Sequence, residues 1–162
     1  MVNMKATQIL LSTLLGYALW FALVMVVFSS AVFAQSNAYK AIQLKDGKAN
    51  AELFQDAVNE NIRPELRAEL APIVAAIRYA ENGKTYQYGI IHKRCPKGYR
   101  PQAGWCSATV QKHYDRWVKG GRKGDFVVSL GARYCPIGAD NDPDNLNRHW
   151  IGNVKKFQRK FK

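Results

Sequence analysis

A carboxylate stands at the end of an apolar helical stripe: Ile73, Val74 and Ile77 lead directly to Glu81. At about 100° per residue, Glu81 lies about 40° round the helix from Ile77 and about 20° from Val74, so it faces the core side. Asn82 and Gly83 follow and are expected to stop the helix, glycine being the residue that most easily takes a left-handed C-cap. The carboxyl group is therefore expected at a helix end where a cleft can open. Apolar neighbours there would raise its pKa toward the range of a general acid. The competing reading is a helix-end carboxylate turned to solvent.

Other side chains capable of chemistry are sparse around it. No Asp or Glu occurs from Asn82 through Tyr114, so a second acid close in sequence is lacking. Tyr88, Tyr99 and Trp105 could line a groove or be buried aromatics. Trp117, Tyr134 and Trp150 fall on helical faces and read as core. Asp140, Asn141, Asp142, Pro143 and Asp144 open like a calcium loop, but Asn145 replaces the required glycine and Ile151 the closing glutamate. That stretch is expected instead to form a capped turn with Asn141 or Asn147 toward the groove. No metal and no cofactor is expected, because Cys95, Cys106 and Cys135 show no zinc spacing with His92 or His113. In an oxidising compartment one bridge and one free thiol would result, with Cys95 and Cys106 favoured since they bracket the turn-rich CPKGYRPQAGWC.

Six groups of elements would position these residues. Residues 35–50 read as a polar tether with a turn at Asp46-Gly47, followed by a lead-in helix from Ala51 to Asn59, so that 35–60 form one unit. Pro64 starts a short helix through Leu70, and a break before Pro72 gives a compact helix from Pro72 to Glu81. Thr85 to Lys93 is rich in aromatic and β-branched residues and suggests a short hairpin or irregular β region. Cys106, Val110, Tyr114 and Trp117 then recur at helical spacing up to Gly120-Gly121. Asp125 caps a helix with Phe126, Val127, Leu130 and Tyr134 inside. Asn145 caps a last one with Leu146, Trp150, Val154, Phe157 and Phe161 inside and Lys155, Lys156, Arg159 and Lys160 outside. The expected fold class is α+β, mostly α, with one small β element after Glu81 and one N-terminal transmembrane or signal helix.

That last segment follows from charge. No charged side chain lies between Lys5 and Lys40, and the run from Ile9 to Phe33 is long enough to cross a bilayer. Residues 1–34 are thus a signal peptide, with Val32-Phe33-Ala34 as the cleavage site, or an uncleaved anchor. The rest is expected to be translocated: periplasmic or envelope-associated, anchored once in the membrane or secreted. The whole chain carries 24 Lys plus Arg against 12 Asp plus Glu, net +12, which implies an acidic partner such as nucleic acid, anionic lipid or cell-wall polymer. Translocation makes nucleic acid the weakest of the three.

The segments AIRYAENG at 76–83, YGI at 88–90 and RYCPIGADNDPDNLNRHW at 133–150 resemble the lysozyme-like superfamily, the peptidoglycan hydrolases and lytic transglycosylases of phages and bacteria. The resemblance covers roughly residues 70–157 and implies a lysozyme-like catalytic domain over 61–162. It implies Glu81 as the catalytic acid, with Tyr88, Tyr99, Trp105, Asn141 and Asn147 on peptidoglycan glycan strands. Glycosidases normally pair two carboxylates, and lysozymes that do so commonly carry the second in the β region, which is empty here. Lytic transglycosylases work with one Glu, so the resemblance implies cleavage of the β-1,4 bond between N-acetylmuramic acid and N-acetylglucosamine with 1,6-anhydro ring closure. The chain departs from the best-known transglycosylase pattern in lacking a Gly-Leu-Met-Gln segment after the Glu. The alternative is a non-catalytic peptidoglycan-binding module of lysozyme-like fold; a basic membrane-anchored nucleic-acid binder rests on charge and aromatics alone.

Overall fold

A computed structural model describes Tyr17, Trp20 and residues 36–162, apart from Asn82, Asn141 and Pro143. The described part is helical, and no strand occurs among the described residues. Residues 36–46 form α1; α2 is Lys48–Asn61, and a 3-10 turn over Pro64–Leu66 leads into α3, Arg67–Ala80. Then come α4, Tyr99–Lys119, α5, Phe126–Tyr134, and α6, Asn147–Phe161. The expected α+β class is therefore replaced by an all-helical one. No helix among the described residues is long and apolar enough to cross a membrane, and the apolar run at 9–33 lies outside the described residues save for Tyr17 and Trp20.

α3 is the centre of the molecule. Every residue from Leu70 to Arg78 is buried, as expected of a helix that is apolar nearly all round. α3 packs most extensively on α6, α2 packs on α4, and α5 bridges α4 and α6. The expected break before Pro72 does not occur, because Pro72 sits inside a continuous helix. A proline there removes one backbone hydrogen bond, and burial of Leu70, Ile73 and Val74 on both sides outweighs that loss. α1 replaces the expected tether: Ala38, Ala41 and Ile42 are buried at helical spacing in the common core. CPKGYRPQAGWC is not a loop either, since α4 begins at Tyr99 within it.

The missing β element has a local cause. Ile90, mid-way along the β-prone segment, has its N–H accepted by Gln102 Oε1 at 3.2 Å and its C=O bonded by Gln102 Nε2 at 2.9 Å. Gln102 is fully buried on α4. One side-chain amide thus satisfies the two groups that a partner strand would have served. The Tyr88 carbonyl is bonded by the Tyr134 hydroxyl in the same manner.

No disulfide forms. All three cysteines are free, which corrects the expected Cys95–Cys106 bridge. Cys95 Sγ accepts from Gln102 Nε2 at 3.3 Å, and Cys135 Sγ donates to Asn147 Oδ1 at 2.8 Å. Burial raises all three thiols, Cys106 to about 12 and Cys135 to about 11.

One buried ion pair ties three helices together. Asp46, the last residue of α1, accepts from Arg78 of α3 at 2.8 Å (Nε) and 2.6 Å (Nη2), with both side chains nearly buried. Tyr99 of α4 donates its hydroxyl to Asp46 Oδ2 at 2.9 Å and accepts from the Tyr88 hydroxyl at 3.0 Å. Arg78→Met should cost about 3 kcal/mol in urea unfolding, because it leaves the Asp46 carboxylate buried with only the phenol for a partner. Asp46→Leu combined with Arg78→Met should cost less than Arg78→Met alone; a greater loss in the double variant would contradict the orphan-charge account.

Candidate active site

Glu81 is the C-cap of α3, where the backbone turns extended at φ −90° and ψ 122°. Its N–H still bonds Ile77 O at 2.9 Å, and its C=O accepts from Arg78 Nη1 at 2.8 Å. Both backbone groups are held, so the side chain leaves the helix in a fixed direction. The carboxyl group reaches α6, where Trp150 Nε1 donates to Oε1 at 3.0 Å.

Gly89 closes the other side. A Cβ built on it would stand 2.6 to 2.8 Å from Cδ and both carboxyl oxygens of Glu81, and its φ is +69°. A side chain is excluded there by space and by backbone conformation alike. Burial raises the pKa of Glu81, while the Trp150 hydrogen bond and the Arg78 charge oppose the rise. Its position at the negative end of the α3 dipole also disfavours the anion.

The acid opens on a cavity of about 670 Å³ whose walls include Tyr134, Asp142, Asn147, His149, Trp150 and Asn153. Trp150 stacks on Tyr134 with ring centroids 5.3 Å apart. Burial keeps the Tyr134 phenol well above its ordinary pKa, so it remains a donor to Tyr88 O. Asp142 is the second carboxylate of the cavity, yet both its oxygens are engaged: Leu146 N–H bonds Oδ1 at 2.7 Å and Asn147 N–H bonds Oδ2 at 3.0 Å. Asp142 thereby caps α6 in the role expected of Asn145, which instead has a φ of +53°. Leu146, expected inside, is exposed.

The sequence-derived site residues separate into distinct groups. Glu81 and Asn147 share the cavity, with the Asn147 amide donating to Pro136 O. Tyr88 and Tyr99 are buried and bonded to each other beneath it. Trp105 stacks on His92 and lines a different cavity, of about 640 Å³, with Arg100 and Lys112. Asn141 lies outside the described residues. Tyr134 and Trp150, read from sequence as core, are the acid's neighbours. The available signal was the indole N–H: a buried Trp needs an acceptor, and Glu81 was the carboxylate predicted to face the core. Comparison with protein-family models, curated proteins and solved structures yields no match.

Two stability measurements test this geometry. Folding raises the Glu81 pKa, so the protonated group's contribution is full below the ordinary carboxylate range and is lost as pH rises through the raised value. Glu81→Gln keeps an acceptor for Trp150 without the charge, so it should be more stable than the parent near neutrality, by about 1 kcal/mol. That gain should fade below about pH 4. A difference independent of pH would remove buried charge as its source. Gly89→Ala should cost about 2 kcal/mol through strain at positive φ and contact with the carboxyl group; an unchanged urea midpoint would mean that the glycine does not close the site.

Proposed function

We propose that this chain is a peptidoglycan-cleaving enzyme, a lytic transglycosylase acting on the β-1,4 bond between N-acetylmuramic acid and N-acetylglucosamine. The observation that carries the proposal is the Glu81 carboxyl group. It is half-sequestered at a helix end, raised in pKa by burial, bonded on one oxygen by Trp150, and open on a cavity large enough for sugar rings. The likeness of the segments at 76–83 and 133–150 to lysozyme-like enzymes supplies the substrate class.

In this reading protonated Glu81 gives its proton to the glycosidic oxygen as the C1–O bond breaks. The resulting carboxylate then takes the proton of the muramyl C6 hydroxyl as that oxygen attacks C1, closing the 1,6-anhydro ring and restoring the acid. Trp150 occupies Oε1 throughout, which leaves Oε2 for both transfers and stabilises the carboxylate between them. A hydrolase would need a second carboxylate to act as nucleophile or base. Asp142 is the acid nearest to that requirement, and its commitment to the α6 amides favours the one-carboxylate chemistry.

Mass spectrometry of sugars released from purified sacculi by the full chain should find anhydro-muramyl ends, and Glu81→Gln should reduce their rate of appearance by about 10³-fold. Reducing ends would move the assignment to a hydrolase. Undiminished release by Glu81→Gln would overturn the role of Glu81, and no release by the unsubstituted chain would leave a binding module.

A further inference from the structure

A second cavity, of about 480 Å³, adjoins the acid's cavity and shares Gly89, Ile91 and Tyr134 with it. Its volume lies within the range of ligand cavities, roughly 300–1,000 Å³. Its far wall is cationic: Lys112 and Arg116 from one face of α4, four residues apart, and Arg133 from the end of α5. No Asp or Glu lines it among the described residues. None of the three cations has a carboxylate partner among the described residues. The field reaches inward, since the charges of Arg116 and Arg133 add to burial in lowering the His113 pKa.

Three unneutralised cations around one concavity repel each other, and an anionic ligand would relieve that repulsion. The sugar rings of a glycan strand are neutral in their hydroxyls and acetamides and do not call for them. The peptide stem on the lactyl group of each muramyl residue carries free carboxylates, and it leaves the strand beside the bond that Glu81 would cleave. We propose that the cavity bounded by Lys112, Arg116 and Arg133 is a carboxylate subsite for this acidic peptide stem, an inference that rests on peptidoglycan being the substrate. The shared walls Gly89, Ile91 and Tyr134 let one muramyl unit reach both cavities, its ring toward the acid and its stem toward the cations.

The test is binding by the full chain carrying Glu81→Gln, so that strands are not consumed, to soluble glycan strands with stems and to the same strands stripped of stems by an amidase. Stem-bearing strands should bind about tenfold tighter, with the preference falling as salt rises. Adding Lys112→Gln, Arg116→Gln and Arg133→Gln together should bring stem-bearing strands down to the affinity of stripped ones. Arg133→Glu alone, at an exposed position, should weaken stem-bearing strands selectively and serves if the triple variant fails to fold. Equal affinity for the two strands, equal loss on both, or binding to neither would overturn the subsite. A stem preference alongside no released sugar from the unsubstituted chain would sink the catalytic reading and leave the subsite standing.

Discussion

The buried pair of Asp46 and Arg78 is the constraint from which the rest of the molecule is arranged. Removing two charges from water costs several kcal/mol per ion, and the cost is offset only where geometry is good and the remaining polar atoms are satisfied. Here the guanidinium meets the carboxylate with two nitrogens, the Tyr99 phenol completes Asp46, and the last guanidinium nitrogen bonds the Glu81 carbonyl. One cluster thus fixes where α1 ends, how α4 lies against it, and in which direction the chain leaves α3. The acid's backbone is a member of this cluster and not a passenger on a loose helix end.

Its side chain depends on elements far along the chain. Trp150 can reach the carboxyl group because α6 lies close against α5, and Gly131 permits that approach: a Cβ there would stand 2.6 Å from Ile151 Cγ1. Tyr134, stacked on the indole, holds the Tyr88 carbonyl and with it the turn that carries Gly89 back over the acid. The environment of one carboxyl group is therefore set jointly by the end of α3, the loop after it, and the α5–α6 corner.

What could be read from the chain was local. The helical spacing of Cys106, Val110 and Tyr114 and the inward run Trp150, Val154, Phe161 reflect periodicity, the Asp125 cap reflects local hydrogen bonding, and the structure has them in those roles. What could not be read was tertiary substitution for a local rule. The segment after Glu81 has β-prone composition, but its hydrogen bonds go to a glutamine of α4. Pro72 breaks a helix in isolation and is carried through by burial on both sides. Residues 36–46 look polar because two of their three buried positions, Ala38 and Ala41, are alanines, which count for little in a hydropathy reading yet pack closely. The core-facing angle of Glu81 was legible because it follows from helical geometry alone. Its partners were not, since Trp150 is 69 residues away.

The three unpaired cysteines have a consequence for how the chain is made. Each thiol is buried or tied to a polar neighbour, and each is held protonated by its surroundings, so none offers the thiolate that exchange chemistry requires. The described fold therefore contains no disulfide that an oxidant would have to form. Burial in the folded state thereby withdraws the three thiols from exchange reactions that remain open to them in the unfolded chain.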